Sequence, residues 1–213
     1  MIEGILAKKL GMTQIFSADR VVPVTVVKAD LCHVTQRKTR EKDGYDAVQL
    51  GFEEKKEART PKPMQGHFKK AGTPNLYHVA EFGGEELDAY KPGQAVKCSE
   101  VFKVGDVVDI RARSKGRGFA GVIKRWNFSR GPMSHGSGHN RAPGSIGQSA
   151  YPSKVFKGIK LPGQMGNKEI TIQNLEVVDI NEEENIMLVK GCVPGPMGAV
   201  LTITRSIKKK GRG

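Results

Sequence analysis

The sequence predicts a mainly β protein: an antiparallel barrel whose strands come from both ends of the chain, interrupted in the middle by a long basic segment. Three observations carry this. Apolar and β-branched runs recur near both ends at spacings of about ten residues, with Gly, Asp and Asn between them, which fits a barrel or sandwich better than helices. From Ile110 to Lys168 there is no Asp or Glu, while that span holds twelve Lys or Arg and eleven Gly. Finally, 38% hydrophobic and 6% aromatic residues with 26 glycines leave much of the chain in turns or irregular structure, outside any core.

In chain order, GILAKKLGMTQIF, VVPVTVVKAD, LCHVTQRKT and, after the DGYD turn, AVQLGF read as short strands. The stretch from about 53 to 100 is polar and mixed, with a short helix in QGHFKKAG, and reads as an insertion packed on the first element. Strand character returns in VFKVGDVVDIRAR, where KVGD is a tight turn, and again from EITIQNLEVVDI through NIMLVKG to AVLTITRSI, with NEEEN and PGPMG as turns. The expected organisation is residues 1–110 as the first part of the barrel with the insertion at about 53–100, residues 111–166 as a basic extension, and residues 167–213 as the remaining strands and a basic tail.

Lys and Arg exceed Asp and Glu by 13, and the pI is near 9.7. Outside Ile110–Lys168 the two signs nearly balance, so almost all of the excess lies in that one segment. A run of five or six like charges is an ordinary solvated loop. A segment this long with few apolar residues cannot bury enough surface to offset its ordering entropy, and a loop beyond about 15 residues is itself a functional flag. It needs a polyanion to neutralise it. The chain has no run of about 18 apolar residues and no charged-then-apolar leader, so it reads as soluble and unexported, with no membrane partner.

Within SKGRGFAG, residues 114–121, Gly116, Gly118 and Gly121 stand in the order G-x-G-x-x-G after a strand-like run. A dinucleotide site also requires a second parallel strand past the helix and an acidic residue about 20 positions on. Here FAGVIKRWNF reads as a short helix, but no strand follows it and no carboxylate appears before Glu169. Backbone amides at a glycine-rich turn bind phosphate of any origin, with Lys115 and Arg117 adding charge.

Other constellations are weaker. His135 and His139 have i, i+4 spacing, but Gly-Ser-Gly between them opposes a helix and no third ligand is near, so donation to phosphate or stacking on a base outweighs metal binding. Trp126 and Phe128 among Lys124, Arg125 and Arg130 give rings between cations, either to stack on bases or to pack the short helix on the barrel. Arg141, Lys154, Lys157 and Lys160 have Gly, Pro and Ser for neighbours and read as phosphate contacts. Cys32, Cys98 and Cys192 lie far apart and read as reduced packing residues in a reducing compartment. No G-x-S-x-G, P-loop or catalytic set stands out, so the chain reads as no enzyme, without cofactor, metal or small-molecule substrate.

The segments MIEGILAKKLGMTQIF, GHFKKAGTP, SKGRGFAGVIKRWNF, GPMSHGSGHNRAPGSIGQSAYPSKVFKGIKLPGQMGN, and NLEVVDI followed by LVKGCVPGPMG resemble, in order and across essentially the whole chain, the bacterial form of large-subunit ribosomal protein three. The resemblance implies a six-stranded barrel like that of translation-factor domains. It also implies a glycine-rich extension that threads between rRNA helices toward the peptidyl-transferase centre, and binding early in subunit assembly. The implied partners are large-subunit rRNA and neighbouring ribosomal proteins in the cytoplasm, not a second copy of the chain. Carried over by motif, Ser145, Gln148, Ser149 and Ala150 fall at the extension's tip, and some bacterial members carry a methylated glutamine at the position of Gln148. A free-standing nucleic-acid chaperone or packaging protein is the alternative reading of the same charge.

Overall fold

The computed structural model describes residues 1–17 and 20–208. The chain runs β1 (Gly4–Ser17), β2 (Arg20–Lys28), β3 (Cys32–Lys38), α1 (Arg40–Asp43), β4 (Ala47–Glu54), α2 (Lys62–Ala71), β5 (Leu76–Phe82), β6 (Ala95–Val96), α3 (Cys98–Val101), β7 (Val107–Arg113), β8 (Phe119–Ala120), α4 (Val122–Trp126), β9 (Gly163–Gln164), β10 (Glu169–Asn181), β11 (Ile186–Lys190) and β12 (Val200–Arg205). These elements group into two units: a body of Met1–Arg113 with Glu169 onward, and a second unit of Ser114–Lys168.

In the body, six antiparallel strands close a barrel in the order β1-β12-β7-β10-β11-β2, so both ends of the chain supply it, as the strand pattern predicts. Two long strands make closure possible. The first half of β1 pairs with β12 and the second with β2, with a bulge between Lys9 and Gly11; β10 likewise turns from β7 to β11 through bulges at Ile172/Leu175 and Val177/Asp179. Bulges bend and twist a strand, which lets one strand serve two sides of a barrel. The β10 bulge is held by the buried Asp109, whose Oδ1 accepts the Asn174 amide at 2.8 Å, while the Asn174 side-chain oxygen accepts Ser206 Oγ–H at 2.8 Å.

Alternation fills the interior. Leu201 and Ile203 of β12, Val108, Ile110 and Ala112 of β7, and Met187 and Val189 of β11 are buried. Lys9, which composition counts among the free cations, is buried, and its Nζ donates to the carbonyls of Val193 at 2.9 Å and Gly195 at 3.2 Å.

The strands read in LCHVTQRKT and AVQLGF do not join the barrel. They are β3 and β4 of a separate four-stranded sheet of order β5-β4-β3-β6, so the inserted layer begins about twenty residues before position 53. Barrel and sheet share one apolar core in which Ile2, Leu6 and Phe102 meet Val34, Val48, Leu50, Phe52 and Phe82. Val48, Leu50 and Phe52 alternate with Gln49, whose side-chain oxygen is 2.8 Å from His67 Nε2 of α2, so α2 covers the opposite face of the sheet and buries Phe68 there.

All three cysteines are free. Cys32 and Cys98 are packing residues, and burial pushes their thiols up to about 11 and about 12 respectively. Cys192 differs from the sequence reading: it is exposed, in the loop after β11.

Candidate nucleic-acid interface

The second unit begins as a narrow stem. Ser114 N–H donates to the Lys168 carbonyl at 2.8 Å, Lys168 N–H to Ser114 Oγ at 3.2 Å, Arg117 N–H to Met165 O at 2.8 Å and Met165 N–H to Gly118 O at 2.9 Å, and then β8 pairs with β9. Gly166 has φ +68° and sits so close that a Cβ would overlap the Lys115 carbonyl. The G-x-G-x-x-G residues thus serve this stem. The Arg117 amide is used within it, and the following helix α4 is a single turn of five residues, so no phosphate cradle at a helix start is formed.

Beyond α4 the chain has no regular structure until β9. Between Phe128 and Pro162 the backbone pairs with itself twice among the described residues, Gly131 N–H to Asn140 O at 3.0 Å and Ser137 N–H to Ser134 O at 3.4 Å. An ordinary folded segment of this length makes roughly two dozen backbone bonds. Only Ala120 and Val122 of the unit's apolar side chains are buried, whereas Phe119 is 80% and Tyr151 87% exposed, and Met133, Val155 and Phe156 are also exposed. This unit has neither the hydrogen bonding nor the core that stabilises a chain on its own.

The charges follow the same pattern. Lys115, Arg117, Lys124, Arg130, Arg141, Lys154, Lys157 and Lys160 are all exposed, and Arg125 is half-buried. Every ion pair among the described residues lies in the body, as in Lys38 Nζ to Glu81 Oε1 at 2.9 Å and Lys190 Nζ to Glu176 Oε2 at 2.9 Å. There the hydrogen bonds from Lys38 and Tyr45 hold the Glu81 carboxyl below its usual range, and the bonds to Tyr45 and Glu81 raise the Lys38 ammonium.

Trp126 packs neither on the barrel nor in open solvent. Its Nε1–H donates to the Leu161 carbonyl at 2.9 Å, which also accepts from Arg125 Nη1 at 2.7 Å, tying α4 to the returning chain. The Arg125 guanidinium lies 5.0 Å and the Lys160 ammonium 5.9 Å from the indole ring centre, so ring and cations form one cluster with the ring still 37% exposed.

His135, at φ +59°, and His139 lie exposed on the loop closed by the Gly131–Asn140 bond. Among the described residues no group of three His, Cys, Asp or Glu side chains is placed to hold a metal ion. At the apical end Ser145 Oγ–H donates to Gly147 O at 3.1 Å, and Gln148, Ser149 and Ala150 are exposed. The tail Lys209–Gly213 lies outside the described residues.

The sequence reading missed the exposed rings Phe119, Tyr151 and Phe156, the last with Lys154 Nζ 5.8 Å from its centre. An aromatic residue beside Lys or Arg inside the acid-free span is the signal that finds them. With cations, unpaired backbone polar groups and bare rings together, the unit can neutralise phosphates, hydrogen-bond sugars and stack on unpaired bases.

Residues 79–185 match the family model described as Ribosomal protein L3. Among curated proteins, the large ribosomal subunit protein uL3 of Syntrophotalea carbinolica is 53% identical over 98% of this chain and 100% of its own length. The proteins of the same name from Petrotoga mobilis and Carboxydothermus hydrogenoformans are each 50% identical, over 98% and 99% of this chain and 98% and 100% of their own lengths.

Proposed function

The chain belongs to the ribosomal protein L3 family, and from that premise we propose that it is a structural constituent of the large ribosomal subunit in the cytoplasm. It binds large-subunit rRNA early in assembly, beside neighbouring ribosomal proteins. One observation supports the RNA-binding part above the rest: the Ser114–Lys168 unit holds many exposed cations and no carboxylate, and it barely pairs its own backbone. A phosphate backbone supplies both missing elements, counter-charge and hydrogen-bond acceptors.

In this reading Lys115, Arg117, Lys124, Arg130, Arg141, Lys154, Lys157 and Lys160 neutralise phosphates of separate rRNA helices and let them approach. Arg125 and Trp126 keep the base of the segment closed, and His135 and His139 donate to phosphate or stack. The apical residues Ser145, Gln148, Ser149 and Ala150 lie toward the peptidyl-transferase centre, with Gln148 as a methylation position.

Sedimentation of tagged full-length protein tests this. The chain is expected to travel with the large subunit and stay with it through a high-salt wash, since it is enclosed by folded RNA. A free-standing chaperone or packaging protein would be released into the top fractions and would bind unrelated duplexes equally well, and that result would overturn the proposal.

A further inference from the structure

The body contains a second concentration of positive charge that its near-neutral composition conceals. Residues 55–70 hold six lysines and arginines against the single acid Glu57, which leaves the rest of the body net acidic. Of these cations Lys69 alone has a carboxylate partner among the described residues, Glu57 at 3.7 Å, and Lys55 lies 5.1 Å from the Tyr77 ring centre. Lys56, Arg59, Lys62 and Lys70 are exposed.

The helix α2 arranges part of this charge on one face. Lys62, Gly66, Lys69 and Lys70 follow the i, i+4, i+7, i+8 spacing of one helical stripe, opposite the buried Phe68 and Ala71. Gly66, at the centre of that stripe, is exposed, and a Cβ built on it meets nothing within 4 Å. Glycine weakens a helix interior, and nothing in this chain requires one here. The absence of a side chain is useful only to something that approaches the helix from outside. Lys62 and Lys69 are separated by roughly 10 Å along the helix axis, close to the rise of about three nucleotide steps at 3.4 Å each.

We propose that this face of α2, with Lys56 and Arg59 beside it, is a second seat for an RNA sugar-phosphate backbone, where Gly66 lets the strand lie against the helix between flanking lysines. The inference rests on the rRNA-binding reading above, but it places a contact on the inserted layer, apart from the acid-free span.

The test uses the full-length chain and protein-free large-subunit rRNA, with affinity measured across a salt series. Two substitutions carry it: Gly66→Ala, and the neutral set Lys56→Gln, Arg59→Gln, Lys62→Gln and Lys70→Gln. Gly66→Ala is expected to raise the Tm of the free protein by about 2 °C while lowering rRNA affinity several-fold, opposite signs that no purely structural role produces. The neutral set is expected to make the slope of log affinity against log salt shallower by about 2–3. Wild-type affinity in Gly66→Ala, or a wild-type slope in the neutral set, overturns the proposal and leaves the face to an acidic protein segment. A parallel set, Arg141→Gln, Lys154→Gln, Lys157→Gln and Lys160→Gln, separates the two readings. If it loses slope while the α2 set does not, only this inference fails; if neither loses slope, rRNA binding itself fails.

Discussion

Neutralising Arg141, Lys154, Lys157 and Lys160 together to Gln removes four charges that have no carboxylate partner and no buried atoms to satisfy. The free protein is therefore expected to keep its Tm within about 1 °C, because surface substitutions away from specific contacts change stability little. Binding is another matter. Each phosphate contact contributes about 0.7–0.9 to the slope of log affinity against log salt, so four lost contacts flatten the slope by about 3. Between 50 and 200 mM salt, wild type then loses affinity by roughly 60-fold more than the variant does. Filter binding or fluorescence anisotropy on deproteinised large-subunit rRNA reads this directly. A matched variant at the ion-paired body lysines Lys28 and Lys190 controls for net charge. Parallel slopes for wild type and the four-site variant would refute the argument that this segment neutralises phosphates.

Two further outcomes concern the body. In native protein, alkylation is expected to reach Cys192 and spare Cys32 and Cys98. Because burial raises both of their pKa values above the ordinary 9, stability is retained below about pH 9 and falls as pH rises toward 11 and 12, which pH-dependent denaturation would register. Glu81 is the opposite case. Its folded pKa is lowered, so its contribution is present at neutral pH and lost as pH falls below the ordinary 4.5. Glu81→Gln is expected to lower Tm by about 1–2 °C at pH 7 and by nothing near pH 3, and a pH-independent difference would show that the Lys38–Tyr45–Glu81 cluster is not the cause.

The barrel was readable because its strands alternate cleanly: in VVDIRAR and AVLTITR the inward residues are Val108, Ile110, Ala112, Leu201 and Ile203. The same alternation in β3 and β4 was misleading, since period two says which face a residue takes and not which sheet it joins. That choice depends on β5 and α2, whose Phe68 and Gln49–His67 contact supply the second face. The basic segment was readable from charge alone, because an acid-free span of that length has no folded-state substitute for an external anion. Its internal anchor was not, since Trp126 and Arg125 are held by the carbonyl of Leu161, a group every residue possesses. The α2 patch was hidden for a third reason: acidic residues elsewhere in the body cancel it in any sum over the chain.

Amide hydrogen exchange across residues 128–162, in the free chain and after binding large-subunit rRNA, bears on the whole account. The free chain is expected to exchange there at nearly unprotected rates while the barrel strands stay protected, and the same amides are expected to slow by orders of magnitude on the RNA. Strong protection in the free chain, or none gained on the RNA, would contradict it.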